Sequence, residues 1–82
     1  MWFVYILKCS DNTFYTWTTT DLDRRLMEHN TSIKSAKYTR MRRPVELIFS
    51  KILSSKSEAC KEEYRIKQLN RKQKEELIKE SF

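Results

Sequence analysis

The chain has 82 residues and a mass of 10.0 kDa, which suits one small domain over residues 1–82 and no second one. Seventeen Lys and Arg against eleven Asp and Glu give a net charge of +6 and a pI near 9.5. With 39% hydrophobic residues, including two Trp, four Tyr and four Phe, the composition argues for a folded globule with a thin core. No run approaches the roughly 18 apolar residues of a membrane span, so no membrane partner is expected.

Trp2–Leu7 is apolar but short, with neither a basic lead nor a small-residue cleavage site, and does not read as a signal peptide. Two cysteines, Cys9 and Cys60, are too few for a disulfide framework and, with one His, too few for a structural zinc site. Both read as small buried hydrophobes in a reducing cytoplasm. Glycine is absent altogether, where average usage of about 7% would supply roughly six. Left-handed turn positions therefore fall to Asn or Asp, and glycine-dependent nucleotide loops are excluded.

In chain order, Trp2–Leu7 reads as a strand buried on both faces, and Phe14–Thr19 as a second strand of high β propensity. Ser10–Asp11–Asn12 between them predicts a three-residue hairpin loop with Asn12 in the left-handed position. That register places Cys9 opposite Thr13, Leu7 opposite Tyr15 and Tyr5 opposite Trp17, so Tyr5, Tyr15 and Trp17 share one face. A two-residue loop would separate the two tyrosines. Thr20 is expected to cap a helix running to about Asn30, with Asp21 and Asp23 in its first turn. Residues 31–44 are polar and basic and end at Pro44; a third strand follows from Val45, extending as far as Leu53. Ser55 with Glu58 and Asn70 with Gln73 form two capping-box signatures, predicting helices over 57–68 and 71–80. The order β-β-α-β-α-α predicts an α+β domain, a small three-stranded antiparallel sheet flanked by helices.

Between Lys34 and Arg43 the chain carries five cations and no acid. Lys34, Lys37, Arg40, Arg42 and Arg43, interleaved with Tyr38, suit contact with a phosphate backbone, since each neutralised phosphate releases counterions. A solvated basic loop that aids solubility is the plainer alternative.

On the first helix Leu22 and Leu26 define an apolar stripe, and Arg25 and His29 lie one turn apart on its edge, facing the junction with the sheet. They read equally as satisfied edge residues or as parts of a site. On the second helix Ala59 and Ile66 mark the core direction, and Glu63 lies within about 60° of both. A carboxylate there is either held in a salt bridge, with Arg25 the candidate partner, or holds a cation. Two phenols on one sheet face are most often core residues; with an Arg, a His and a Glu they resemble a hydrolytic site.

Val4–Leu7, Phe14–Trp17, Thr20–Asn30, Ala36–Arg40, Arg42–Leu47, Ser57–Ala59 and Glu63–Lys67, in this order and spacing, resemble a GIY-YIG nuclease domain over roughly residues 2 to 78. They are most similar to its small stand-alone bacterial branch. The resemblance implies cleavage of DNA phosphodiester bonds, on branched or damaged DNA, with a divalent metal ion, usually Mg²⁺ with Mn²⁺ as the alternative. By position, Tyr5 and Tyr15 match the motif tyrosines, one of them the general base or orienter of the nucleophile. Arg25 matches the arginine that stabilises charge on the phosphate, His29 the position near the attacking water, and Glu63 the metal-holding carboxylate.

Two positions depart from the family pattern: Phe3 stands at the first motif's glycine and Trp17 at the second's. An indole beside Tyr5 and Tyr15 either fills the pocket and abolishes catalysis or stacks on an unpaired base. The alternative to the endonuclease is accordingly a catalytically impaired nucleic-acid-binding module, its pocket altered by Trp17. An adaptor that docks on an acidic protein is a third reading, and a protein partner or dimer is compatible with so short a chain without being indicated by it.

Overall fold

The computed structural model describes residues 1–31 and 42–80. Strands β1 (Trp2–Lys8), β2 (Phe14–Thr19) and β3 (Glu46–Leu53) form one antiparallel sheet in the order β2-β1-β3. Helices α1 (Leu22–Thr31), α2 (Lys56–Lys67) and α3 (Arg71–Glu80) complete the described elements. The expected α+β architecture is present.

The central position of β1 follows from its sequence. Val4, Tyr5, Ile6 and Leu7 are fully buried, as a strand apolar on alternate and intervening positions requires when both faces are covered. On one face Val4, Ile6 and Phe49 pack with Ile66 of α2, backed by Leu77 and Ile78 of α3. On the other face Tyr5, Leu7, Cys9 and Val45 form a second cluster with Tyr15 and with Leu22 and Leu26 of α1. The sheet thus separates two cores, and Tyr5, Leu7 and Tyr15 on its odd-numbered face cluster with α1.

The hairpin has the three-residue loop that its chemistry predicts. The Cys9 N–H donates to Thr13 O (2.8 Å), the Asn12 N–H donates to Cys9 O (2.9 Å), and Asn12 takes φ = 70°. Leu7 accordingly faces Tyr15, and Tyr5 faces Trp17. The pairing of β1 with β3 shifts register between Ile6 and Leu7.

Local signals differ from expectation at four places. Asp21, not Thr20, caps α1: its carboxylate accepts from the Arg24 N–H (3.1 Å), while Thr19 Oγ1 accepts from the Asp21 N–H (3.1 Å). The Ser55 hydroxyl caps α2 by accepting from the Glu58 N–H (3.2 Å), but Glu58 turns to the N–H and hydroxyl of Ser54, so only half of that capping box forms. Asn70 and Gln73 form the complete reciprocal box. Val45 precedes β3 rather than starting it, and Cys60 is exposed rather than buried, because it lies about 100° around α2 from the core-facing Ala59.

The segment entering β3 is tied to α1 and to the hairpin. The Asn30 side chain donates to Val45 O (3.1 Å) and accepts from the Val45 N–H (2.8 Å), a two-bond clip from the end of α1 to the start of β3. Arg43 donates to the carbonyls of His29 (2.6 Å) and Glu28 (3.3 Å), where a helix C-terminus favours a cation. Arg42 pairs with Asp11 at 2.8 Å, and its carbonyl accepts from the Ser10 N–H.

Candidate active site

Four of the sequence-derived site residues meet on the α1 face of the sheet. β1 supplies Tyr5, β2 supplies Tyr15, and α1 supplies Arg25 and His29. The spacing of four on α1 aims both of its side chains at the hairpin. His29 is fully buried, and its Nε2 lies 2.9 Å from the Tyr5 hydroxyl oxygen. The imidazole stands edge-on to both phenols, with ring centroids 5.9 Å from Tyr5 and 5.4 Å from Tyr15. Burial, reinforced by the Arg25 and Arg43 charges and opposed by Glu28, lowers the His29 pKa to about 4, so the ring is neutral at pH 7. The direction of the Tyr5–His29 hydrogen bond follows the imidazole tautomer, and the Arg25 charge acts on both groups.

Burial pushes both phenols above their ordinary range; the Arg25 charge pulls them partly back, and the Glu63 carboxylate raises them further. The Arg25 and Glu63 charges therefore both bear on the same two phenols. Arg25 is not the partner of Glu63: it pairs with Glu28 at 3.0 Å, and Glu63 pairs with Lys67 at 2.9 Å. The Glu63 side chain is only 18% exposed, on a helix that packs against the edge strand β2.

Trp17 lies against one member of this cluster. It is 41% exposed and stacks against Tyr15 with centroids 6.1 Å apart and planes at 22°. The Lys67 ammonium lies 4.3 Å from the indole centroid. Sequence reasoning alone does not single out Lys67; its spacing of four from Glu63 was the readable signal.

Of the candidate phosphate contacts, Lys34, Lys37, Tyr38 and Arg40 lie outside the described residues. Arg42 and Arg43 are described, at the places in the fold given above. Among the described residues no three His, Cys, Asp or Glu side chains are grouped to hold a metal, and no helix is long and apolar enough to cross a membrane. A lone, partly buried carboxylate does fit Mg²⁺, which keeps several waters and binds through one or two carboxylates and substrate phosphate.

The GIY-YIG catalytic domain family matches residues 1–76. A UPF0213 protein of Desulfotalea psychrophila is 52% identical over 80 residues, 98% of this chain and 73% of its own. One of Halobacterium salinarum is 56% identical over 75 residues, 92% and 96% of the two chains. The solution NMR structure of a UPF0213 protein from Bacillus halodurans superposes with a TM-score of 0.62 at 48% identity, covering 96% of this chain and 84% of that one. The chain belongs to the GIY-YIG family, a nuclease-type fold, and stands among its small UPF0213 members.

Proposed function

We propose that this protein is a metal-dependent DNA endonuclease that hydrolyses phosphodiester bonds, with branched or damaged DNA as its substrate and Mg²⁺ or Mn²⁺ as its ion. The observation that carries the reading is the grouping of Tyr5, Tyr15 and His29 on the α1 face of the sheet, with the Arg25 charge acting on both phenols, within a GIY-YIG domain. Arg25 is a permanent cation at a partly buried position, suited to charge that develops on a phosphate oxygen. Tyr15, the less buried phenol, orients the attacking water. Tyr5, fully buried, acts through its neighbours: its hydroxyl is hydrogen-bonded to neutral His29, and the Arg25 charge acts on it. His29 is thus a positioning residue rather than a base in contact with water. Glu63 is the side chain that would hold the divalent ion, which when bound supplies charge neutralisation at the phosphate.

A non-catalytic nucleic-acid-binding module is the second reading, favoured by one observation: Trp17 offers an exposed indole where the family motif has glycine. A labelled panel of duplex, single-stranded, flap and four-way-junction DNA, incubated with Mg²⁺, Mn²⁺ or EDTA, separates the two. Cutting that needs the metal supports the endonuclease. Salt-sensitive binding with no cutting on any substrate supports the module.

A further inference from the structure

The Glu63–Lys67 pair is by spacing an ordinary helix-surface ion pair, but its surroundings are not ordinary. The carboxylate is the one through which an ion would be held beside Tyr5 and Tyr15. The ammonium also lies 4.3 Å from the centroid of the Trp17 ring, and that ring stacks in turn on Tyr15. A glycine at position 17 provides no such seat. The chain therefore carries its own cation, 2.9 Å from the Glu63 oxygen, in the space that an ion bound to that oxygen must share.

We propose that Lys67, seated on Trp17, is the resident counter-ion of Glu63 and that a divalent ion binds only by displacing it. This rests on the endonuclease reading for the role of Glu63 and adds a regulator to that site. Ion occupancy is then set by how firmly the ammonium is seated. Two weak contacts hold it, an ion pair one helical turn long and a cation–π contact on a half-exposed ring. Together they weaken ion binding about fivefold, or roughly 1 kcal/mol at 1.4 kcal/mol per tenfold.

The test is Mn²⁺ binding without DNA, read from the electron paramagnetic resonance of free Mn²⁺. The proteins are the wild type, Lys67→Met, Trp17→Leu, Lys72→Met and the double variant Lys67→Met/Glu63→Gln, each checked for its fold by circular dichroism. Lys67→Met is expected to bind about fivefold more tightly and Trp17→Leu about twofold. Lys72→Met, the same change in net charge on α3, should move less than twofold. The double variant should lose the gain. Equal affinity in Lys67→Met and wild type, an equal gain in Lys72→Met, or a gain that survives Glu63→Gln would each overturn the proposal. Cleavage is scored separately: tighter Mn²⁺ binding by Lys67→Met, with no DNA cut by either the variant or the wild type, supports the counter-ion while removing the endonuclease reading.

Discussion

Lowering the pH should unfold this protein partly through His29. The imidazole is fully buried and neutral, with a pKa of about 4 in the fold against 6.5 for the free side chain. Between those values the unfolded chain binds a proton that the folded chain does not, so stability falls as the pH drops from about 6.5 to 4 and levels off below. A depression from 6.5 to about 4, at 1.36 kcal/mol per pH unit, is worth about 3 kcal/mol across that window. Asp11, Glu58 and Glu62, whose carboxyls sit below their ordinary range, also lose stability on acidification, mostly below about pH 4.5. A His29→Gln variant separates the contributions, because the carboxylates remain and its amide can still hydrogen-bond to the Tyr5 hydroxyl. Urea unfolding at pH 7, 6, 5 and 4 should show the wild type losing about 3 kcal/mol relative to the variant. Parallel stability curves for the two proteins would refute a neutral buried imidazole.

Asn12 at φ = 70° holds a conformation glycine adopts without strain, so Asn12→Gly should leave stability within about 0.5 kcal/mol, while Asn12→Ala should cost about 1 kcal/mol, both by urea unfolding. Asn30→Ala opens the clip to Val45 and strands a backbone N–H and C=O; a loss of about 2–4 kcal/mol is expected, with Asn30→Asp intermediate because it keeps the acceptor. Asn70→Ala removes a complete capping box and should cost about 1 kcal/mol, with the amides at the start of α3 exchanging faster than those of α2.

The hairpin register was legible because it is a local matter: a three-residue loop, a residue that tolerates the left-handed region and alternating side chains determine which residues face which. That alone brought Tyr5, Tyr15 and Trp17 to one face. The spacing of four between Arg25 and His29 placed both at the sheet, again from one element's geometry. Partner choice was less legible, because it depends on how elements pack. Nothing in the sequence distinguishes Arg25 pairing with Glu63 from Arg25 pairing with Glu28 until α1 and α2 are seen on opposite sides of the sheet. Glu63 with Lys67 could have been read as a helical pair, but the seat on Trp17 appears only when the edge strand β2 lies against α2. The exposure of Cys60 was recoverable from the phase of Ala59 and Ile66, and hydrophobicity alone misplaced it. Thr20 and Asp21 are both good caps, and the choice fell to Asp21 because Thr19 turns its own hydroxyl to the Asp21 N–H.

The most direct test of the site is single-turnover cleavage of whichever DNA structure is cut best with Mg²⁺, comparing wild type, Arg25→Ala and Glu63→Ala after each is shown to keep its thermal unfolding midpoint. Loss of a donor to the transition state, or of the carboxylate that holds the ion, is expected to slow cutting by about 10²-fold or more in each variant. Cutting by Arg25→Ala and Glu63→Ala at the wild-type rate would contradict the assignment of this cluster as the catalytic centre.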